Sequence, residues 1–353
     1  TSKNAYLACK SIRIRITGTH DSMRTIKLKS SLLSVDSLFE TSLREAELMI
    51  EYGKPESIEN ISWWYPGKEV YLNYHNLISK FVNLKHIGPC FNRLNLEYGV
   101  ADSIPPLPAV ESVFISYSRN AYADQSLQFW ENILKSAENS LKKVRIHYGV
   151  PLLMDIISRA KNLEEYFIIP ISNILNDGTI DHILNFPKLK RLTLKSCGEG
   201  ADNLSGIIQK IKYLSELEEF NISLTSYECR QIEEPFLNNL NLKTLGLYRL
   251  YFPAPPSVET LTILLINRSI NWGFQFSAWP KNLSTLRLVI DTSSTDFFDH
   301  YNTNISKMSQ LRTIIIKMEK PFLFDALKVP NEKVEKLVLI PYGRIAHRDI
   351  FYL

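Results

Sequence analysis

A six-residue pattern of apolar and polar positions recurs along the chain, in the form apolar-x-x-apolar-x-apolar. From Leu141 onward, with the weaker copy at Leu163 included, consecutive copies start 16 residues apart at the shortest, from 242 to 258, and 28 apart at the longest, as from 189 to 217. A pattern that keeps a period near this range over many copies is typical of a stack of similar units. Clear copies begin at Leu141, Leu189, Leu217, Leu242, Val258, Leu283, Leu311 and Val334, and weaker ones at Met23, Ile58, Phe91, Val110 and Leu163.

Each copy predicts one short β-strand. Alternate side chains of a strand face opposite sides, so the last two apolar positions of every copy point into the same interior. The segments between the strands return the chain to the start of the next unit. Residues 105–108 and 252–256 are rich in proline, which blocks helix, so these returns are predicted to be extended. Helical spacing predicts helical returns at Gln125–Leu134, Leu204–Ile211, Phe297–Tyr301 and Ile305–Met308.

This arrangement resembles the leucine-rich repeat, whose units run at about 20 to 29 residues. The resemblance implies an α/β solenoid, a curved array with parallel strands on its concave face and helical or extended returns on its convex face. We expect irregular N-terminal repeats and a cap over residues 1–90, the repeat array over 91–340, and a capping tail over 341–353. Stacked units share one core, so these parts form one continuous solenoid.

The unit that begins at Leu189 reads Leu-Lys-Arg-Leu-Thr-Leu-Lys-Ser-Cys and ends at Cys197. It resembles the cysteine-containing repeat of F-box/leucine-rich-repeat proteins, the substrate receptors of SCF-type ubiquitin ligases. The resemblance implies that Cys197 supports the turn after the strand, and that an SCF adaptor binds through an F-box. No F-box is recognisable in this chain. Three explanations stay open: the motif lies upstream of Thr1, it has diverged, or the chain is another kind of repeat protein.

Composition narrows the classes of function. The net charge of +4 is small for 353 residues, so bulk electrostatics do not favour nucleic-acid binding, and we expect affinities no tighter than the non-specific range of about 10⁻⁴ to 10⁻⁶ M. Four scattered cysteines form no C-x-x-C pair and suggest a reducing compartment, the cytoplasm or the nucleus. The apolar runs are too short to cross a bilayer, so no membrane partner is expected.

Residues for catalysis or metal binding do not form a pattern. The seven histidines are dispersed among different units without the spacing of metal ligands. The sequence contains neither a nucleophile elbow nor a phosphate-binding loop. We therefore predict that the chain is not an enzyme and that it holds no cofactor and no metal.

A partner is predicted to bind the concave face, through the outward residues between the inward apolar ones. Two features there favour contact with a protein: a basic stretch in the middle strands, and three tyrosines that the pattern places at one edge, since Tyr and Arg are enriched at interface hot spots. An apolar strip follows toward the C-terminal end, with Leu264, Val289, Ile315, Val338 and Ile340. The candidate contact residues are Tyr98, Tyr117, Arg145, His147, Tyr148, Arg191, Lys195, Tyr248, Arg249, Arg287 and Lys317.

Three functions remain open at this point. The first is substrate recognition within an F-box-type ubiquitin ligase receptor. The second is a structural scaffold in a stable intracellular complex. The third and least favoured is nucleic-acid binding through the basic middle strands.

Overall fold

A computed structural model describes fifteen parts of the chain, which together hold most of its repeat units. They are residues 37–41, 50, 55–63, 78–90, 106–116, 123–149, 151–170, 181–197, 209–224, 230–231, 241–248, 250–265, 279–290, 295–318 and 332–341. The chain divides into two compact units, Thr1–Ile168 and Ile169–Leu353. Buried apolar residues form a core in each of them.

The first unit is built on strands that follow one another in chain order across a sheet. The described pairings from β1 to β5 are all parallel. A 3₁₀ turn lies at Pro55–Ser57. The strands are β1 (Ser37–Thr41), β2 (Asn60–Trp63), β3 (His86–Cys90), β4 (Ser112–Ser116), β5 (Lys143–Gly149) and β6 (Glu165–Pro170), and the helices are α1 (Ala123–Ala137) and α2 (Pro151–Ile157).

The second unit repeats this arrangement with seven described strands in its main sheet and two short strands in a separate parallel pair. The main sheet holds β7 (Arg191–Cys197), β8 (Glu219–Leu224), β10 (Thr244–Tyr248), β12 (Thr260–Leu265), β13 (Thr285–Ile290), β14 (Thr313–Met318) and β15 (Lys336–Pro341). The short pair is β9 (Arg230–Gln231) and β11 (Leu250–Tyr251), and the described helix is α3 (Thr295–Ile305).

The register of the second unit keeps equivalent residues side by side from strand to strand. Leu245 pairs with Leu261, Leu261 with Leu286, and Leu286 with Ile314. All four are buried with at most 1% of their surface exposed. Since a shift of one residue would turn every apolar side chain to the other face, burial of this row fixes the register.

The apolar pattern extends further upstream than the six-residue form. In one unit Ile183 and Phe186 precede Leu189 at intervals of three residues, and all three are buried. The amide of Leu189 donates to the carbonyl of Phe186, and that of Phe186 to Ile183. A 3₁₀ turn has three residues per turn, so this spacing places all of these side chains in the core.

Three of the predicted return segments have the expected conformation. Helix α1 covers the predicted Gln125–Leu134, and α3 covers Phe297–Tyr301. Phe252–Pro256 contains no helix. The predicted helix Leu204–Ile211 lies mostly outside the described residues.

Two predicted copies of the repeat and the predicted C-terminal tail lie outside the described residues, and one N-terminal repeat was not predicted. The copy predicted at Phe91 lies outside the described residues. The repeat that supplies β3, which pairs directly with β4, begins at Leu84, where Gly88 and Pro89 interrupt the apolar alternation. A Cβ on Gly88 would lie 2.5 Å from that of Ser62, which explains why glycine stands there. The copy at Met23 lies outside the described residues, as does the tail after residue 341.

Candidate protein-binding face

The open face is the side of each unit's sheet opposite its buried core. In β7 the side chains of Arg191, Thr193 and Lys195 are half-buried on this face, while Leu192 and Leu194 between them are fully buried. Strand β5 shows the same alternation. The open face therefore offers up to three side chains from each strand, at positions that correspond from one repeat to the next.

Parallel strands in chain order, a shared register and a repeated apolar turn before each strand together define the architecture. The fold is a leucine-rich-repeat solenoid. This confirms the fold class that the spacing of apolar residues predicts.

Two solved structures show what this chain is similar to. One is the leucine-rich-repeat-containing protein LegL7 from Legionella pneumophila, at 10% identity and a TM-score of 0.41, over 94% of this chain and 91% of that one. The other is TLR13 in its complex with ssRNA13, at 13% identity and a TM-score of 0.37, over 90% of this chain and 56% of that one. No protein-family model matches the sequence, and no curated protein matches it. The fold assignment therefore rests on the chain's own strand register.

The open face of the first unit carries a cluster of one cation and three rings. The guanidinium carbon of Arg145 lies 4.4 Å from the ring centre of Phe167 and 5.4 Å from that of Phe114. The imidazole of His147 lies 4.6 Å from the Phe114 ring, in an edge-on arrangement, and 5.7 Å from Phe167. We call these four residues the Arg145 cluster. All four are half-buried, so a partner can reach them.

The strand register explains how the Arg145 cluster forms. Phe114 pairs with Arg145, so the two side chains stand next to each other on adjacent strands. His147 lies two residues further along β5 and therefore on the same face. Cation–π contacts of this kind contribute about 0.5–1 kcal/mol at exposed sites and hold the guanidinium plane in place.

Charge near this cluster is largely neutralised. The Lys143 ammonium lies 2.7 Å from Glu165. On the next row Lys142 lies 2.8 Å from Glu111, which lowers the pKa of Glu111 through the hydrogen bond and raises that of Lys142. The predicted basic stretch is therefore weaker in this unit than its count of lysines suggests.

In the second unit the candidate cations stand on separate strands. Arg191 lies opposite Glu219 in the register, so it has an acidic residue beside it on the adjacent strand. Lys195 is half-buried on the same strand. Arg287 pairs with Ile315, and Lys317 pairs with Val289 and Ile340. Lys317 is therefore set between apolar neighbours on the open face, whereas Arg287 lies between Thr262 and Ile315.

Two residues expected on the accessible open face are buried. Tyr248 is 7% exposed and Val289 is 6% exposed, so the expectation that their side chains are exposed on this face is wrong. Alternation of side chains stops at these points: residues 245–248 of β10 are all buried, as are residues 288–290 of β13. Both residues stand at the carboxyl end of their strands, where the chain leaves the sheet.

The remaining candidates cannot be placed. Tyr98, Tyr117 and Arg249 lie outside the described residues, and Tyr148 lies in β5 with only its backbone described. The stacking of the three tyrosines therefore stays a prediction. Phe167 was not among the candidates, although it occupies the same place in its repeat as Arg145.

A second regular feature is the residue immediately before each strand of the main sheets. We call this row the charge ladder, because opposite charges alternate along it. Four of its ion pairs have N–O distances between 2.8 and 3.8 Å: Lys85–Glu59, Lys142–Glu111, Lys243–Glu218 and Arg312–Glu335. The ladder holds Glu59, Lys85, Glu111, Lys142 and Glu164 in the first unit, and Lys190, Glu218, Lys243, Glu259, Ser284, Arg312 and Glu335 in the second.

Within the described parts of the chain, the structure shows no group of three or more histidine, cysteine, aspartate or glutamate side chains that could hold a metal. A search of those same parts finds no helix that is both long and apolar enough to span a membrane.

Proposed function

We propose that this chain is a non-catalytic scaffold that recognises a protein partner through the open face of β4, β5 and β6. The observation that carries the proposal is the Arg145 cluster, in which a half-buried arginine lies against Phe114 and Phe167. Interface hot spots combine large aromatic area with arginine, so this is the composition of a contact centre.

The geometry of the cluster favours an acidic or mixed partner surface. Stacking on two rings holds the guanidinium of Arg145 in a limited set of orientations before a partner arrives, which lowers the entropy lost on binding. Its planar group can donate two parallel hydrogen bonds to one carboxylate. The surrounding rings supply apolar contact area for the residues beside that carboxylate.

Charge balance makes nucleic acid the less favoured partner of this face. Affinity for nucleic acid comes mainly from many cations that neutralise phosphates. In the first unit, Lys85, Lys142 and Lys143 are each engaged with a glutamate of the same protein. We expect non-specific affinity for single-stranded DNA or RNA, and a nanomolar, steeply salt-dependent dissociation constant would overturn this ranking.

Affinity capture followed by direct titration tests the proposal. Proteins captured by the wild-type chain are identified, purified and titrated against wild type and Arg145→Glu. The reversal should weaken binding by about tenfold or more, because like charges placed across an interface cost several kcal/mol. Arg159→Glu is the matched control, since this exposed residue lies on the turn after α2 and away from the cluster. Equal affinity of Arg145→Glu and wild type would contradict the proposal that the partner binds the open face of β4, β5 and β6.

The same titration assigns a role to the second unit. An Arg191→Glu/Lys195→Glu double variant should keep the fold, since both side chains lie outside the core. If this variant loses as much affinity as Arg145→Glu does, the partner contacts both units.

A finer proposal concerns the cellular role. We propose that the chain is the substrate-binding part of an F-box-type ubiquitin ligase receptor in the cytoplasm or nucleus, on the basis of the sequence around Cys197. Strand β7 ends at Cys197, which agrees with a residue at the turn after the strand. Co-purification of the SCF adaptor with the complete gene product tests it. If the adaptor is absent and the captured partner stays bound in a stable complex, the structural-scaffold role is favoured instead.

A further inference from the structure

The open face of the second unit is basic over its described positions, whereas that of the first unit is nearly neutral. In the first unit Lys143 and Arg145 share the face with Glu165, which lies 2.7 Å from Lys143. In the second unit the described positions of the face hold a single acid, Glu219, and five cations. This excess of four charges equals the formal charge of the whole chain, +4. The five cations are Arg191, Lys195, Arg287, Lys317 and Lys336.

The neighbouring charge ladder does not cancel this excess. In the second unit the ladder holds three cations and three acids, so it is neutral over the described strands. Two of its ion pairs, Lys243–Glu218 at 3.8 Å and Arg312–Glu335 at 3.6 Å, are made within the ladder itself. The open face therefore presents a local positive field, which attracts acidic molecules and speeds their association.

The five cations form two groups that are separated by strands without a cation. Arg191 and Lys195 lie on β7, and the other three lie on β13, β14 and β15. The strands between them, β8, β10 and β12, carry Asn221, Gly246 and Thr262 in the middle row of the face. Neighbouring strands lie about 4.8 Å apart, so the four steps from β7 to β13 separate the two groups by about 19 Å along the sheet.

Apolar side chains lie next to the second group of cations. Ile315 lies between Arg287 and Val338 in the register. Lys317 has Ile340 beside it on β15. The three apolar side chains are half-buried, so they can contribute contact area. Acidic residues beside apolar ones on a protein surface match such a face, since interfaces between proteins combine apolar and polar contacts.

Nucleic acid fits this face less well than a protein does. Single-stranded nucleic acids bind through aromatic rings that stack on the bases. Among the described positions of this face the one aromatic residue is Tyr248, which is only 7% exposed. Phosphates recur at every nucleotide and are neutralised by many cations, whereas this face leaves three successive strands without a cation.

We propose that the open face of the second unit binds an acidic segment of a partner protein that contacts both groups of cations. Two acidic groups of this segment, about 19 Å apart, pair with the cations of β7 and with those of β13 to β15. Apolar residues next to the second acidic group cover Ile315 and Val338. Complementary charge of this kind gives specificity and fast association. This surface and the Arg145 cluster lie in different units, so the inference does not depend on the function proposed for that cluster.

A peptide with two acidic segments tests the proposal on the full chain. The probe is fluorescent and end-capped, and its two Glu-Glu-Leu segments are joined by a Gly-Ser linker of about ten residues, which spans about 16–19 Å on average. We expect saturable binding to wild type in fluorescence polarisation at low salt. Binding should be about tenfold tighter than that of a peptide with one segment, because the linker raises the effective concentration of the second segment.

Each group of cations is reversed in turn. Arg191→Glu/Lys195→Glu and Lys317→Glu/Lys336→Glu should each weaken binding of the two-segment peptide by about tenfold or more, because like charges repel across the contact. The corresponding glutamine variants, which remove the charges without reversing them, should also bind more weakly than wild type. Thermal melts check that each variant is folded. A loss of affinity in only one of the two charge-reversed variants would overturn the proposal that both groups bind.

A control of equal charge separates this face from the charge of the chain as a whole. Lys212→Glu/Lys307→Glu changes the net charge by the same amount at two exposed turn positions outside the sheets, and it should bind the peptide like wild type. No binding to wild type, or an equal loss in this control, would overturn the proposal. A single-stranded DNA with as many negative charges as the peptide, if it binds wild type more tightly, would assign the face to nucleic acid and equally overturn it.

Discussion

The charge ladder and the open face run along the same strands but follow opposite rules. Along the ladder, the same kind of residue recurs in almost every repeat, with glutamate and lysine or arginine in alternation. Along the middle row of the open face, neighbouring residues differ: Phe114, Arg145 and Phe167 in the first unit, then Thr193, Asn221, Gly246, Thr262, Arg287 and Ile315 in the second.

This difference distinguishes the residues that stabilise the stacking of repeats from the residues that give a single repeat its own surface chemistry. A residue that recurs at one position meets its own counterpart in the next unit, so its interaction stabilises stacking. Exposed ion pairs are weak one by one, at about 0.2–1 kcal/mol, but every described ladder charge has at least one neighbour of opposite sign. Arg145 instead contacts different residues, Phe114 and Phe167, in the neighbouring repeats, so its position is not set by a contact that recurs along the array.

The largest effect is expected where a repeated core position is changed. Leu192→Asp and Leu245→Asp should each unfold much of the array, because both side chains are fully buried and an unpaired buried carboxylate costs several kcal/mol. Thermal melts followed by circular dichroism measure the loss. Thr193→Asp is the control on the half-buried open face and should change the melting temperature little. Melts of both leucine variants that match wild type would contradict the stacked core.

An intermediate effect is expected where the open face is crowded. A Cβ on Gly246 would lie 2.0 Å from the side-chain oxygen of Asn221. The Asn221 side chain is held there because its Nδ2 donates to Oε1 of Glu219 at 2.8 Å. Gly246→Ala should therefore destabilise the chain by about 1–3 kcal/mol, as overpacking does. In an Asn221→Ala background the same change should cost clearly less. Equal costs in the two backgrounds, from denaturant unfolding, would mean that this contact is not the cause.

Reversal of one ladder charge should have a smaller effect. Glu111→Lys replaces attraction to Lys142 by repulsion, and we expect only a small loss of stability because the pair is exposed. The loss should shrink in high salt, which screens exposed charges. Glu138→Lys changes the net charge equally at a position outside the ladder and should cost less. If Glu111→Lys leaves the stability unchanged at low salt, the charge ladder does not stabilise the stacking of repeats.

The smallest effect concerns pH. Partial burial lowers the pKa of His86 below its usual 6.5, so the folded state binds its proton more weakly than the unfolded state does. Stability from this group is present above pH 6.5 and is lost as the pH falls below it. His86→Asn should therefore show a shallower fall in melting temperature between pH 7 and 5.5. Parallel curves of melting temperature against pH for wild type and His86→Asn would contradict a lowered pKa of His86.

The buried core could be predicted from the sequence because a strand that is buried on one face has an apolar residue at every second position. The spacing of Leu192 and Leu194, or of Leu245 and Leu247, follows from alternation in a strand, and all four are buried as expected. The unit at Leu84 was missed, since Gly88 and Pro89 replace the expected apolar alternation. The upstream apolar positions were missed because a spacing of three residues marks a turn rather than a strand or helix.

The candidate site was less predictable, because alternation says which way a side chain points but not what covers it. Arg145 and His147 reach the open face as expected, whereas Tyr248 is buried at the end of its strand. The ring contacts of Arg145 depend on which residues stand beside it on β4 and β6, and this information requires the register. Comparison of equivalent positions across repeats would have identified Phe167.

The contrast between the charge ladder and the open face is tested most directly by reversing one charge in each of them. Both positions belong to the same repeat: one lies in strand β5 and the other shortly before it. Arg145→Glu lies on the open face, and Lys142→Glu changes the net charge equally three residues earlier, on the ladder. Isothermal titration with the captured partner, on proteins whose folding is checked by melts, compares them. The account predicts that Arg145→Glu loses about tenfold or more in affinity, while Lys142→Glu binds like wild type. Loss of binding by Lys142→Glu with Arg145→Glu unaffected would contradict it.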